Sequence, residues 1–99
     1  MIRHLVLWKL TSDDAAERAE IVGELERRFA ALVPLIEGTE RLDIRADVGD
    51  TDGNWDVVLD ANHVDAAALE FYQVHPAHLA VVDYVKSVVN ARACIDVEV

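Results

Sequence analysis

Long apolar runs are missing from this chain: no stretch approaches the ~20 residues that a membrane-spanning helix needs, so a bilayer-crossing helix is excluded. Positive charge is scarce too. Lys and Arg number 9 against 19 Asp and Glu, a formal net charge of −10. A surface of that sign repels a phosphate backbone, so nucleic acid is not an expected partner. Cysteine is nearly absent. Cys94 stands alone, which rules out an intramolecular disulfide and leaves no second thiol for a zinc site. It reads as a small apolar strand residue in a reducing compartment. No secretory leader is expected either: the short apolar segment after Met1 contains Lys9, and no long h-region or small-residue cleavage site follows. A cytoplasmic location, with no cofactor and no metal, is the expectation.

What the chain has is apolar content, 53% of 99 residues. That suffices for a single domain spanning 1–99 with one modest core, and such a short chain leaves much of its surface exposed when folded alone. The pattern along it is regular. Ile2 to Leu10 is β-branched, aromatic and aliphatic, too short for a globular helix, and predicts a first strand. Thr11 or Ser12 offers an N-cap, after which Val22, Leu25, Phe29, Leu32 and Val33 recur at helical spacing up to Pro34. From Arg41 to Val48 the chain alternates, with Leu42, Ile44, Ala46 and Val48 on one face. The turn formers of 49–54 then predict a hairpin to a strand over 55–61. Asp65 caps a short helix through Tyr72. Pro76 disfavours helical geometry at His75 yet suits the first turn of a new helix running to about Lys86. Residues 88–99 supply a last strand. The order β, α, β, β, broken α, β predicts an α+β fold of the ferredoxin-like kind: a four-stranded antiparallel sheet with helices on one face.

Strand parity says what the two faces carry. His4, Val6 and Trp8 share one side with Arg92, Cys94 and Asp96. Leu5 and Leu7 share the other with Ala91, Ala93, Ile95, Val97 and Val99. The mixed side is expected beneath the helices, and the aliphatic side at a two-fold interface, which makes a homodimer, a dimeric α+β barrel, the expected assembly.

The densest set of reactive groups is Tyr72-Gln73-Val74-His75-Pro76-Ala77-His78. An imidazole titrates nearest neutral pH and a phenol can donate to an oxyanion, so the two together suit proton abstraction beside a carbonyl. His78 is the better base, because ionising a phenol at pH 7 costs ~4 kcal/mol. Asp96, set opposite His78, would orient it as the acid of a triad does, and Tyr72 would hydrogen-bond the enolate. His4, Val6 and Trp8 are expected as pocket walls with Phe29, His75 and Val82. The pocket would take a small apolar or aromatic ligand. Against this stand plainer roles: Tyr72 as core aromatic, His75 as N-cap or hinge, His78 as a partly buried surface residue. His63 is expected to be solvated. Asp50, Asp52 and Asp56 lack the full calcium-loop spacing and read as a turn.

From Ile2-Arg3-His4-Leu5-Val6-Leu7-Trp8-Lys9 through Trp55-Asp56-Val57-Val58-Leu59 to the Y-x-x-H-P-x-H segment at 72–78 and Asp96, the chain resembles the stress-responsive α/β barrel (Dabb) family almost end to end. The resemblance implies a ferredoxin-like protomer whose dimer closes two sheets into a barrel. That family includes stress proteins without assigned chemistry. It also includes plant polyketide cyclases that perform an intramolecular aldol condensation with a Tyr and a His matching Tyr72 and His78, in a pocket holding a His and an acid matching His4 and Asp96. Three readings follow: a cofactor-independent aldol cyclase or lyase, a non-catalytic stress-response or small-molecule-binding protein, and a cofactor-free monooxygenase of the kind built on similar dimeric barrels.

Overall fold

A computed structural model describes all of residues 1–99. Four strands form one antiparallel sheet in the order β2-β3-β1-β4: β1 Ile2–Leu10, β2 Thr39–Ala46, β3 Val57–His63 and β4 Val89–Glu98. Helices α1 Ala15–Ala30, α2 Ala66–Val74 and α3 Pro76–Val88 complete the ferredoxin-like α+β fold.

Local chemistry sets most boundaries. The N-cap of α1 is Asp14, not Thr11 or Ser12, because its carboxylate accepts the Glu17 backbone N–H at 2.9 Å and satisfies one of the orphan donors of the first turn. The helix ends at Ala30, and turns carry the chain on to Gly38. Gly38 has φ +88°, and a Cβ there would lie 2.7 Å from the Ala68 Cβ, so only glycine allows β2 to start beneath α2. β2 and β3 are offset from the expected spans by two residues each. Asp47 accepts from the Gly49 N–H and turns the chain out of β2, while Asp56 accepts from the Leu10 N–H at 2.8 Å and from Arg18. Asp56 is therefore a pin between β1 and α1. Ala46 and Val48 fall in this region and are exposed.

His75 breaks the helical run at φ −64°, ψ 132°, as expected for a residue before proline. Its backbone closes α2, and its Nδ1 accepts from the Ala77 N–H at 3.1 Å to cap α3.

The helices cover the face that carries His4, Val6, Trp8 and Leu10, all buried. With Leu25, Phe29, Leu42, Ile44, Leu59 and Val85 these apolar residues make the core. The opposite face is divided. Leu5, Leu7, Val58, Ala93 and Ile95 line a shallow apolar depression there. Beside it Asp60 binds Arg3 at 2.8 Å and Arg41 at 2.7 Å, and Arg41 reaches Asp43. The aliphatic face expected from β1 and β4 thus reaches Val58 of β3 and gives way to charge at Asp60, Arg41 and Asp43.

Candidate active site

Between α3, the end of α2 and the sheet lies a cavity of about 550 Å³. β1 contributes His4, Val6 and Trp8, since alternate strand residues share a face, and α1 contributes Phe29. Trp8 and Phe29 pack with ring centroids 5.9 Å apart. Tyr72 and His78 come from either side of the His75 break, with rings 4.2 Å apart. Val82 lines the same space, as do Leu59 and Val85.

His78 is partly buried, and its Nδ1 lies 3.2 Å from the Gln73 carbonyl oxygen. A carbonyl only accepts, so Nδ1 carries the proton and Nε2 keeps the lone pair. Burial, before all else, pushes the His78 pKa below its ordinary value, with the Gln73 hydrogen bond acting the other way. The imidazole is neutral at pH 7 and its Nε2 is basic. Tyr72 is buried, its hydroxyl has no partner in the protein, and burial holds the phenol above its usual pKa. It is a proton donor, never a resident phenolate.

Asp96 does not orient His78. In the antiparallel register His4 stands opposite Asp96, and the His4 Nδ1 bonds the Asp96 carboxylate. The backbone carbonyl of Gln73 takes the orienting place expected of Asp96, and Asp96 itself does not line the cavity. His75 does not line it either: its ring caps α3 and packs edge-on against Phe71, with centroids 5.6 Å apart.

His63, expected in solvent, is fully buried. Its ring lies 4.7 Å from Tyr72 and 6.1 Å from His4. Nδ1 is 3.1 Å from the Thr39 hydroxyl, and Nε2 has no partner. Burial, reinforced by His4, lowers its pKa to about 4. Inward parity on β3 was the one signal available for it, since His63 shares a face with Val57, Leu59 and Ala61.

Lys86, Asn90 and Arg92, unremarkable as a sequence pattern, also line the cavity where α3 passes into β4. The His4 Nδ1, the Cys94 sulfur and an Asp96 oxygen lie within 4.8 Å of one another, a donor set able to hold an ion although the thiol has no cysteine partner. No helix is long and apolar enough to cross a membrane.

The fold is shared with solved proteins. A dimeric protein of unknown function from Bacteroides fragilis NCTC 9343 superposes with a TM-score of 0.85 at 24% identity, over 99% of this chain and 95% of that one. A dimeric ferredoxin-like protein from Thermobifida fusca gives 0.80 at 22% identity, over 99% and 90%. The hydroxynitrile lyase of Passiflora edulis gives 0.79 at 11% identity, over 99% and 92%. No curated protein matches the sequence. The family model described as the stress responsive A/B barrel domain matches residues 2–99, and by that match the chain belongs to the stress responsive A/B barrel (Dabb) family.

Proposed function

We propose that the chain acts as a homodimer whose cavity performs cofactor-independent proton transfer beside a carbonyl, as an aldol cyclase or lyase does. The observation that carries this reading is the pairing of a neutral, Nε2-basic His78 with a buried Tyr72 hydroxyl that nothing in the protein satisfies. A buried polar group without a partner costs about 1–3 kcal/mol, and a bound oxygen would relieve it. In this chemistry His78 Nε2 takes a proton from the carbon next to the carbonyl. The bonding pair passes to the carbonyl oxygen, and Tyr72 donates a hydrogen bond to the enolate that forms. The enolate carbon then attacks a second carbonyl, and His78 returns its proton to the new alkoxide. His4, bound to Asp96, borders the same space.

The hydroxynitrile lyase of Passiflora edulis supports the reading at the level of fold, since a similar scaffold hosts a lyase. The dimeric description of the two bacterial proteins supports the homodimer, as does the depression around Leu5, Leu7 and Ile95. Proton–deuterium exchange beside the carbonyl of small aryl ketones, followed by NMR, tests the chemistry without a known substrate. His78→Ala should slow exchange by ~10²–10⁴-fold, and Tyr72→Phe should slow it too. Exchange unchanged in both variants, with the assembly intact, would leave the second reading, a non-catalytic ligand carrier. That reading is favoured by the apolar walls of Val6, Trp8, Phe29 and Val82.

A further inference from the structure

Acidic residues outnumber basic ones 19 to 9 in this chain. The cavity inverts that balance. Of its 16 lining residues none is Asp or Glu, while Lys86 and Arg92 are both present, with Asn90 beside them. Seven ion pairs tie up Arg3, Arg18, Arg27, Arg28 and Arg41 together with one histidine, but neither Lys86 nor Arg92 is in any of them. Two cations without carboxylate partners, both lining an apolar hollow in an acidic protein, form a local positive field where the surroundings are negative.

Each has a plainer role to set beside this. Lys86 lies in the last turn of α3, where a cation suits the helix dipole. That does not account for Arg92, on the helix side of β4 opposite Trp8, where Cys94 is its neighbour and no acid neutralises it.

We propose that the cavity binds an organic carboxylate, its apolar body against Trp8, Phe29 and Val82 and its carboxylate at Lys86, Asn90 and Arg92. This deepens the proposed function by naming the substrate class, and it rests on that reading only for the site. The donors suit a carboxylate better than a phosphate. They are three side chains, with no helix N-terminus beside them to cradle phosphate oxygens. The guanidinium fork matches the two oxygens of a carboxylate. Arg92 also bears on the chemistry: its charge opposes the burial that raises the Tyr72 pKa and adds to the burial that lowers that of His78. The same field would favour an enolate over the neutral ketone.

The test is calorimetric titration of the full chain with 2-naphthoate, its neutral isostere 2-naphthamide, and inorganic phosphate. Naphthoate should bind about tenfold more tightly than naphthamide, with the difference shrinking as salt rises. Lys86→Gln with Arg92→Gln, both at exposed positions, should erase the preference, lowering naphthoate affinity about tenfold and naphthamide affinity far less. Equal affinity for the two naphthyl probes, a preference that survives the double variant, failure of both probes to bind, or displacement of naphthoate by low millimolar phosphate would each overturn the proposal. His78→Ala separates this from the catalytic reading: it should abolish ketone exchange while keeping the preference for naphthoate. Retained preference with no exchange in the parent protein sinks the chemistry and leaves the carboxylate site standing.

Discussion

Tyr72 and His78 reach the cavity from one stretch of seven residues, through a helix end that Pro76 imposes at His75, whereas His4 and Asp96 stand 92 residues apart and meet because β1 and β4 pair with residue 4 opposite residue 96. The first corner is oriented by its own backbone: the Gln73 carbonyl, five residues before His78, fixes the tautomer. The second is oriented by a carboxylate delivered across the sheet. An imidazole can be aligned by either device.

If the local corner carries the chemistry, His78→Ala should slow ketone exchange by ~10²–10⁴-fold, while Asp96→Asn should cost less than ~10-fold. Equal losses, read in the same NMR assay, would shift the base to the His4–Asp96 pair. Next in size is Gly38→Ala. A positive φ for alanine and a Cβ 2.7 Å from Ala68 together cost about 3–4 kcal/mol, to be read from urea unfolding. Because the clash lifts α2, naphthamide affinity should fall in this variant, and the His4–Asp96 contact should persist in the NMR spectrum.

His63 sits behind both corners and gives a pH effect. Its folded pKa of about 4 lies below the ordinary imidazole value of 6.5, so the folded state favours the neutral ring and the unfolded chain binds the proton first. The stability this confers is complete above pH 6.5 and declines as pH falls towards 4, by at most about 3 kcal/mol. His63→Phe should flatten that part of the stability–pH curve, and an unchanged slope would show that another group titrates. The smallest effect belongs to the outer face. Arg3 and Arg41 hold the Asp60 carboxyl down to about 2. Asp60→Asn should therefore cost on the order of 1 kcal/mol at neutral pH, a difference that fades as pH drops from 3.8 to 2, and neither corner should register it.

Much of the fold was legible because its signals are local. Apolar composition and short length placed β1 to the residue, Asp65 capped α2 as expected, accepting the Ala68 N–H at 2.8 Å, and the X-Pro step located the break between α2 and α3. Boundaries slipped where side chains from elsewhere intervene, as with Asp56 pinning Leu10 and Asp47 turning β2. Of the residues expected at the site, His4, Val6 and Trp8 by parity, Tyr72 and His78 by the helix break, and Phe29 and Val82 by resemblance all line the cavity, while His75 and Asp96 were expected there and do not line it. Lys86, Asn90 and Arg92 were missed, since a lysine at a helix end and an arginine on an edge strand look like ordinary solvated charges until the cavity wall is known.

By itself the sequence determined the order of the elements, the inward face of β1 and the kink that sets Tyr72 beside His78, because these follow from periodicity, capping and proline sterics within a few residues. The tertiary structure alone decided that Asp96 serves His4, that His63 is buried and that two unpaired cations face a cavity free of acids. Parity tells which face a strand residue takes, but only the register between strands tells which residue it meets there.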